Sequence, residues 1–400
     1  MSEHHDYLGN LGELEAQIPL RITPELIDSS TYFIEKVDAN SGYQAQQRYA
    51  AAKRWADDLK KGSYVWLGIS GAGTPVGLGG YIADMLERGM VDAIVCTGAN
   101  AYHDLHFACG LPVRHGTDKT DDSNLADEGI TRIYTQFIHN EYTLKAQDMI
   151  NQELGRRIFK RIKPPFSTAT MLYELGREML DDRSGIVIDK KGSFIARAAE
   201  FDVPIFLDSG SNHSLGMDFS LLALEGYNVD TSPTKDDLEA AALSIYTQPQ
   251  LNVFFGEGGS RNFIQTTAPT ASEIFNIPFE GSDSCIRFTV SDVRAGALSG
   301  STKSEAVTWG KYKNPEGEVE VWGEYTLTAP PVIGYVAGKA RKEPRRLMKK
   351  RDDIFAEFLE KIKKYEPERI AAQKKLREML PYIVENEKRA REKAGYVFDD

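Results

Sequence analysis

Tyr64-Val65-Trp66-Leu67-Gly68-Ile69-Ser70-Gly71-Ala72-Gly73-Thr74-Pro75-Val76-Gly77-Leu78-Gly79-Gly80 is the stretch that decides the fold. Tyr64 to Ile69 is short, apolar and β-prone, and it runs straight into a glycine-rich turn. Ile82, Met85 and Leu86 then recur at helical spacing, Gly89 stops the helix, and Val91 to Cys96 gives a second buried strand. Strand, turn, helix and strand together make a βαβ unit of about 30 residues. Working outward, further strands are expected at Gly185 to Ile188, Val203 to Leu207, Leu251 to Phe255 and Ile286 to Val290, with helices between them at Ser193 to Phe201 and Leu238 to Tyr246. Such alternation predicts an α/β fold: a Rossmann-like, mainly parallel sheet with helices on both faces. Val319, Val321, Tyr325 and Leu327 fall on one face at period two, which reads as an edge strand or a hairpin arm across Glu318 to Thr328, with Trp322 on the other face.

Composition divides the chain. The 400 residues carry 41% hydrophobic and 27% charged residues, the balance of a folded globular protein. The amphipathic segment Ser29 to Lys60 reads as helical, so residues 1–60 form an N-terminal helical segment and 61–338 the Rossmann-like domain. After Pro330-Pro331 the composition shifts, and 339–400 reads as a charged C-terminal helical extension, with a second helical run following Pro367. In that extension 19 Lys and Arg stand against 13 Asp and Glu, a net of +6; the remaining residues hold 29 against 46, a net of −17. An acidic body argues against wholesale nucleic-acid binding and suits a cationic ligand. No window has the length of apolar sequence that a membrane span needs, and Met1 to Asp6 lacks the basic-then-apolar order of a secretory signal, so a cytoplasmic protein is expected. Cys96, Cys109 and Cys285 show no paired spacing and give no disulfide framework or thiolate metal cage.

Three loops follow predicted strands: Ser70-Gly71-Ala72-Gly73, Thr97-Gly98-Ala99-Asn100, and Gly256-Glu257-Gly258-Gly259. At this edge of an open α/β sheet, glycines let backbone amides approach a pyrophosphate and helix N-termini favour negative charge. Gly71-x-Gly73-x-x-x-Gly77 departs from the dinucleotide fingerprint, and each glycine also suits a tight turn. His103 and His106, at helical spacing, are geometrically able to share a metal, but no third ligand of clear spacing accompanies them, and no metal is expected. Lys311, flanked by Trp309 and Gly310, is placed where partial desolvation would lower its pKa and make it a nucleophile toward imines or carbonyls.

Glu305-Ala306-Val307-Thr308-Trp309-Gly310-Lys311, with Ser299-Gly300 shortly before it, resembles the catalytic-lysine segment of the deoxyhypusine synthase family. TGANAYHD at 97 to 104, HSLGMD at 213 to 218 and GGSRNF at 258 to 263 support the resemblance, which covers roughly residues 20 to 335 and leaves the basic tail outside. It implies a homotetramer of Rossmann-like subunits holding NAD and a polyamine at subunit interfaces. The implied chemistry is hydride transfer from spermidine to NAD, passage of the aminobutyl group to the lysine as an imine, and delivery to a second amine. By motif position, Lys311 would form the imine, with Asn262 and His103 as further catalytic candidates. Glu305, Trp309, Asp104 and Asp218 would meet the polyamine, and Ser70 to Gly73, Thr97, Gly98, Ala99, Gly258 and Gly259 would face NAD. His103 falls where eukaryotic members have a glutamate, Asn262 where they have a histidine, and Leu298 where they have an aspartate. These departures are similar to the bacterial deoxyhypusine synthase-like branch and leave open whether the acceptor is a protein lysine or a small amine such as putrescine, giving homospermidine. Two other functions fit the same residues: an NAD-dependent polyamine dehydrogenase without transfer, and a non-enzymatic nucleotide-binding scaffold whose tail engages RNA.

Overall fold

The computed structural model describes residues 9–182, 185–294, 296 and 298–398; Met1 to Asp6 and Ala297, and the side chain of Ser299, lie outside the described residues. The strands in chain order are β1 (Tyr64–Ile69), β2 (Ala93–Cys96), β3 (Val113–His115), β4 (Ile130–Ile133), β5 (Gln136–His139), β6 (Ile205–Leu207), β7 (Gln250–Phe255), β8 (Ser284–Thr289) and β9 (Glu318–Trp322). Six of them form one parallel sheet in the order β6-β2-β1-β7-β8-β9. In the middle of it Leu67 pairs with Ile94 on one side and with Val253 on the other. The chain moves from β1 outward through β2 to β6, then returns and builds β7, β8 and β9 on the opposite flank. That reversal puts a topological switch point between β1 and β7, where open α/β sheets bind ligands at the carboxyl ends of the strands.

Successive side chains of β1 serve two cores. Val65, Leu67 and Ile69 belong to the larger apolar cluster, while Trp66 belongs to the other, with Val95, Phe206 and Phe254. Both faces are covered, which is why the parallel strands read as unbroken apolar runs rather than as alternating ones. Inside the second core Trp66 Nε1 donates to Thr247 Oγ1 at 2.9 Å, so the sheet's buried tryptophan has no orphaned N–H.

Four sequence expectations change. Gly185 to Ile188 is no strand: the N–H groups of Ile188 and Asp189 both donate to the Ala108 carbonyl, and the side chain of Ile188 is exposed. A separate antiparallel sheet, β3-β5-β4, occupies 113–139, where mixed polar residues gave no strand signal. Period two ends at Gly323; Glu324 caps a helix, Tyr325–Lys339, which carries Tyr325, Leu327 and both Pro330 and Pro331. The two prolines forfeit backbone bonds, but Ala329, Val332, Ile333 and Val336 are buried against helices Pro24–Tyr32 and Tyr43–Lys60, and that packing keeps the helix whole. The tail is one helix, Arg351–Lys393, running through Pro367 rather than restarting after it. Ile354 and Phe358 anchor it in the second core, and Arg351 pairs with Glu239 at 2.6 Å; residues 370–397 are exposed.

No helix among the described residues is long and apolar enough to cross a membrane.

Candidate active site

Each glycine loop leaves the sheet at its carboxyl edge, and in each the backbone ladder continues one residue past the strand. Ser70 N–H donates to Phe255, Thr97 N–H to Ile69 and Gly256 N–H to Phe288. Asn100 ties the first two loops together: its Nδ2 donates to the Gly71 carbonyl at 3.1 Å and to Thr97 Oγ1 at 2.8 Å. Thr74 Oγ1 donates back to the Asn100 carbonyl at 2.9 Å. Helices Leu78–Glu87, Gly98–Ala108 and Gly259–Pro269 all begin at this edge, so free N–H groups and the positive ends of three helix dipoles gather around the switch point.

Gly71, at φ +74°, and Gly258, at φ +107°, occupy backbone conformations that favour glycine. Gly98 and Gly259 have a different reason: a Cβ on Gly98 would stand 2.0 Å from the His213 ring, and one on Gly259 2.5 Å from Asp208 Oδ2. His213 Nδ1 accepts from Gly216 N–H at 3.1 Å, so its proton sits on Nε2, a buried donor near the Ser209 and Gly210 backbone that makes no hydrogen bond of good geometry among the described residues. An unpaired buried donor beside a glycine turn and a helix N-terminus is what a phosphate- or amide-bearing ligand would satisfy. The residues fit a dinucleotide.

Two side chains at this edge escaped the sequence reading. Asp208 follows β6, accepts from Ser260 Oγ at 2.9 Å, and burial raises its pKa. Its position immediately after the strand Val203 to Leu207 was the available signal. Tyr325 donates to the Ser70 carbonyl at 2.9 Å, stacks on Phe255 and lies over Gly71, Gly73 and Gly256. It walls one side of a crevice also lined by Gly71, Glu257, Phe288 and Ser291.

Below the third loop lies a buried ionic network. Arg287 of β8 bonds Glu257, Glu318 at 2.7 Å and Glu320 at 3.1 Å, and Arg261 reaches Glu257 at 3.2 Å. Arg261 also donates through Nη2 to the carbonyl and hydroxyl of Ser301, both at 3.2 Å. This contact fastens the GGSRNF helix to the segment that carries Lys311, two motifs separated by 40 residues. Thr302 caps the short helix Lys303–Thr308 by accepting from Glu305 N–H at 3.2 Å, and the buried Tyr312 bonds Gln265 and Cys285. Lys311 is thereby held at both ends of its loop. Burial lowers its pKa, the nearby Arg261 guanidinium lowers it further, and Glu305 opposes both. Glu305 and Trp309 are exposed, Trp309 at 58%, and Asn262 is half-buried one residue beyond Arg261.

Asp104 and Asp218, expected to meet the polyamine, are both turned into the protein and bonded to protein donors. Asp104 is buried, and its carboxylate accepts from Ser193 Oγ at 2.6 Å and from the N–H groups of Phe194 and Ile195, capping helix Phe194–Glu200. Asp218 is buried and accepts from Asn151 and Gln152. The reason is the same for both: each lies on the core side of its helix, where a carboxylate is tolerated only with donors around it. His103 and His106 turn their rings toward each other, 3.0 Å between nitrogens, rather than converging on an ion, and no metal-holding group of three is found among the described residues.

The deoxyhypusine synthase family model matches residues 33–336. A deoxyhypusine synthase-like protein of Nostoc sp. is 30% identical over 354 residues, 86% of this chain and 90% of that protein. A Methanosarcina acetivorans protein named probable deoxyhypusine synthase 2 is 30% identical over 348 residues, 86% of this chain and 94% of that one. A crystal structure described as that of a deoxyhypusine synthase from Entamoeba histolytica superposes with a TM-score of 0.51 at 15% identity, covering 80% of this chain and 95% of that one, and supports the fold. Sheet order, motif placement and these matches agree: the chain belongs to the deoxyhypusine synthase family, in its deoxyhypusine synthase-like branch, and with that family it is a transferase.

Proposed function

We propose that the protein is an NAD-dependent transferase that moves an aminobutyl group from spermidine, or a related polyamine, through Lys311 to an acceptor amine. The observation that carries this reading is the tie from Arg261 to Ser301, which holds a partly desolvated lysine against the helix that leaves the third glycine loop. A lysine whose pKa is lowered has more neutral amine available for attack at neutral pH. Bound NAD supplies the acceptor, and later the donor, of a hydride. Ser70 to Gly73, Thr97 to Ala99 and Gly258-Gly259 would hold it through backbone amides, with His213 Nε2–H as an additional donor.

Lys311 Nζ then adds to the imine carbon of the oxidised polyamine. Diaminopropane leaves as a free amine, so one C=N bond replaces another and the aminobutyl chain rides on the lysine. An incoming amine reverses the exchange. Glu305 meets a ligand ammonium and Trp309 offers a cation–π wall. Both are open to solvent in one subunit, which supports an interface site closed by a second subunit of a homotetramer. The acidic body favours a polycation. The acceptor is a protein lysine or a small amine such as putrescine.

Borohydride treatment of the protein with NAD and spermidine should leave a polyamine-derived mass on the intact chain, lost in Lys311→Ala. An undiminished adduct in that variant overturns the assignment. Mass spectrometry of the products, with and without putrescine, separates transfer from plain dehydrogenation, because only transfer makes a new carbon–nitrogen bond.

A further inference from the structure

A line of hydrogen bonds runs from His103 across three helices to Asp218. His103 Nδ1 lies 3.0 Å from His106 Nε2, and His106 Nδ1 lies 3.2 Å from Gln147 Oε1. Gln147 Nε2 donates to Asn151 Oδ1 at 2.6 Å, and Asn151 Nδ2 donates to Asp218 Oδ2 at 2.7 Å. His106, Gln147 and Asn151 are each at most 1% exposed and Asp218 is 5% exposed, so water does not compete for these bonds. Helix Gly98–Ala108 contributes the two histidines, helix Ala146–Ile158 the two amides and helix Ser214–Leu224 the carboxylate.

The line has a direction, set at its carboxylate end. Burial pushes the Asp218 carboxyl up to about 6, which leaves it ionised at neutral pH, and an ionised carboxylate only accepts. Whichever way an amide is drawn, the Asn151 atom facing Asp218 is therefore the NH2 group, and its oxygen faces Gln147. Gln147 then turns its own NH2 to Asn151 and its oxygen to His106. A carbonyl oxygen cannot donate, so His106 carries its proton on Nδ1 and leaves Nε2 bare. Bare Nε2 must accept, so His103 donates from Nδ1. Burial holds both imidazoles neutral, His103 at about 4 and His106 at about 3, so each has a single proton to place. No described residue bonds the remaining His103 nitrogen, Nε2.

We propose that Asp218, acting through Asn151, Gln147 and His106, fixes His103 as the Nδ1–H tautomer, so that Nε2 presents a lone pair to an amine N–H bound at the carboxyl edge of the sheet. Asp218, Asn151, Gln147 and His106 are positioning residues, and His103 is the group that meets the ligand. The arrangement suits a cationic ligand, because a neutral acceptor attracts an ammonium where an imidazolium would repel it. The identity of the ligand as an amine rests on the transferase reading above; the tautomer does not.

Long-range proton–nitrogen NMR of histidine-labelled protein at neutral pH reads the tautomers directly. His103 and His106, assigned from single substitutions, should both show protonated Nδ1 and bare Nε2. Asp218→Asn keeps the shape but permits donation in the opposite sense, since its new NH2 can face Asn151. In that variant His103 should move toward the Nε2–H form while the surface His139 signal stays where it was. A bare Nδ1 on His103 in the unmodified protein overturns the proposal before any variant is made, and so does an unchanged His103 spectrum in a folded Asp218→Asn. Spermidine added with NAD should shift His103 Nε2. In Asp218→Asn the KM for spermidine should rise about tenfold, the equivalent of one lost hydrogen bond, with kcat changed less. Correct tautomers without any response to spermidine would break the amine reading alone; spermidine turnover with the opposite tautomers would break the relay alone.

Discussion

The two flanks of the carboxyl edge are built differently. On the β6-β2-β1 flank the functional side chains are buried and internally bonded: Asn100 laces two loops, Asp104 caps a helix, and the line from His103 ends at a carboxylate in the core. On the β7-β8-β9 flank the ionic network around Arg287 is equally buried, yet what it supports, Glu305 and Trp309, stands open to solvent. One flank is finished within a single chain. The other has a rigid base and an open top. The lesson is that burial and exposure are divided: the chain preorganises the base of each flank and leaves Glu305 and Trp309 exposed above one of them.

The sharpest way to break that comparison is to remove the base of the open flank. Arg287→Leu strands Glu257 and Glu318 without their shared cation and should cost about 3–5 kcal/mol in urea unfolding; a loss below about 1 kcal/mol would show that the network bears no weight.

Acidification tests the sealed flank next. Unfolded imidazoles take up protons near 6.5 that folded His103 and His106 refuse until about 4 and about 3, so their contribution to stability falls as pH drops through that window. Asp104 and Asp236, pushed up to about 7 by burial, act oppositely: folded, they bind protons that the unfolded carboxyls do not, and stability rises as pH falls below about 7. The opposing slopes are each at most about 1.4 kcal/mol per pH unit per group. His106→Gln removes part of the first, so its stability should improve relative to the unsubstituted protein as pH falls from 6.5 to about 3; a constant difference across that range contradicts a buried neutral His106 imidazole.

Gly98→Ala should follow, at roughly 1–3 kcal/mol for overpacking against His213, together with weaker NAD binding by calorimetry. An unchanged affinity would separate that turn from the nucleotide. Smallest in stability is Trp309→Ala, expected within about 0.5 kcal/mol of the parent because the ring is exposed, while spermidine turnover drops by about tenfold or more. Unaltered turnover would remove Trp309 from the site.

Much of this was legible in the sequence for a physical reason. A strand buried on both faces has to be apolar at every position, and Tyr64 to Ile69 was read to the residue. Gly185 to Ile188 has the same apolar look but no neighbouring strand, and pairing with a neighbour is not written in a local pattern. Pro330 and Pro331 look like punctuation until the helices packed against them are counted in. In the site, Lys311 was legible because its whole motif is contiguous. Gln147 and Asn151 were not, since an amide two helices away from a histidine has no mark in the sequence, and Asp104 and Asp218 looked like ligand-binding acids because burial is decided by tertiary packing.

The tail helix has a consequence of another kind. Its 43 residues span about 65 Å, and from Ile370 to Val397 its side chains are exposed. Most of the tail's net +6 sits at its base: residues 339–369 hold 12 Lys and Arg against 7 Asp and Glu, residues 370–400 hold 7 against 6, and residues 1–338 carry −17, so charge is unevenly divided over the molecule. Two such molecules approaching in dilute buffer feel a torque that turns the basic root of one helix toward the acidic body of the other. Since the Debye length shrinks from about 30 Å at 0.01 M salt to about 8 Å at physiological ionic strength, that alignment weakens with salt well before any contact in the core does.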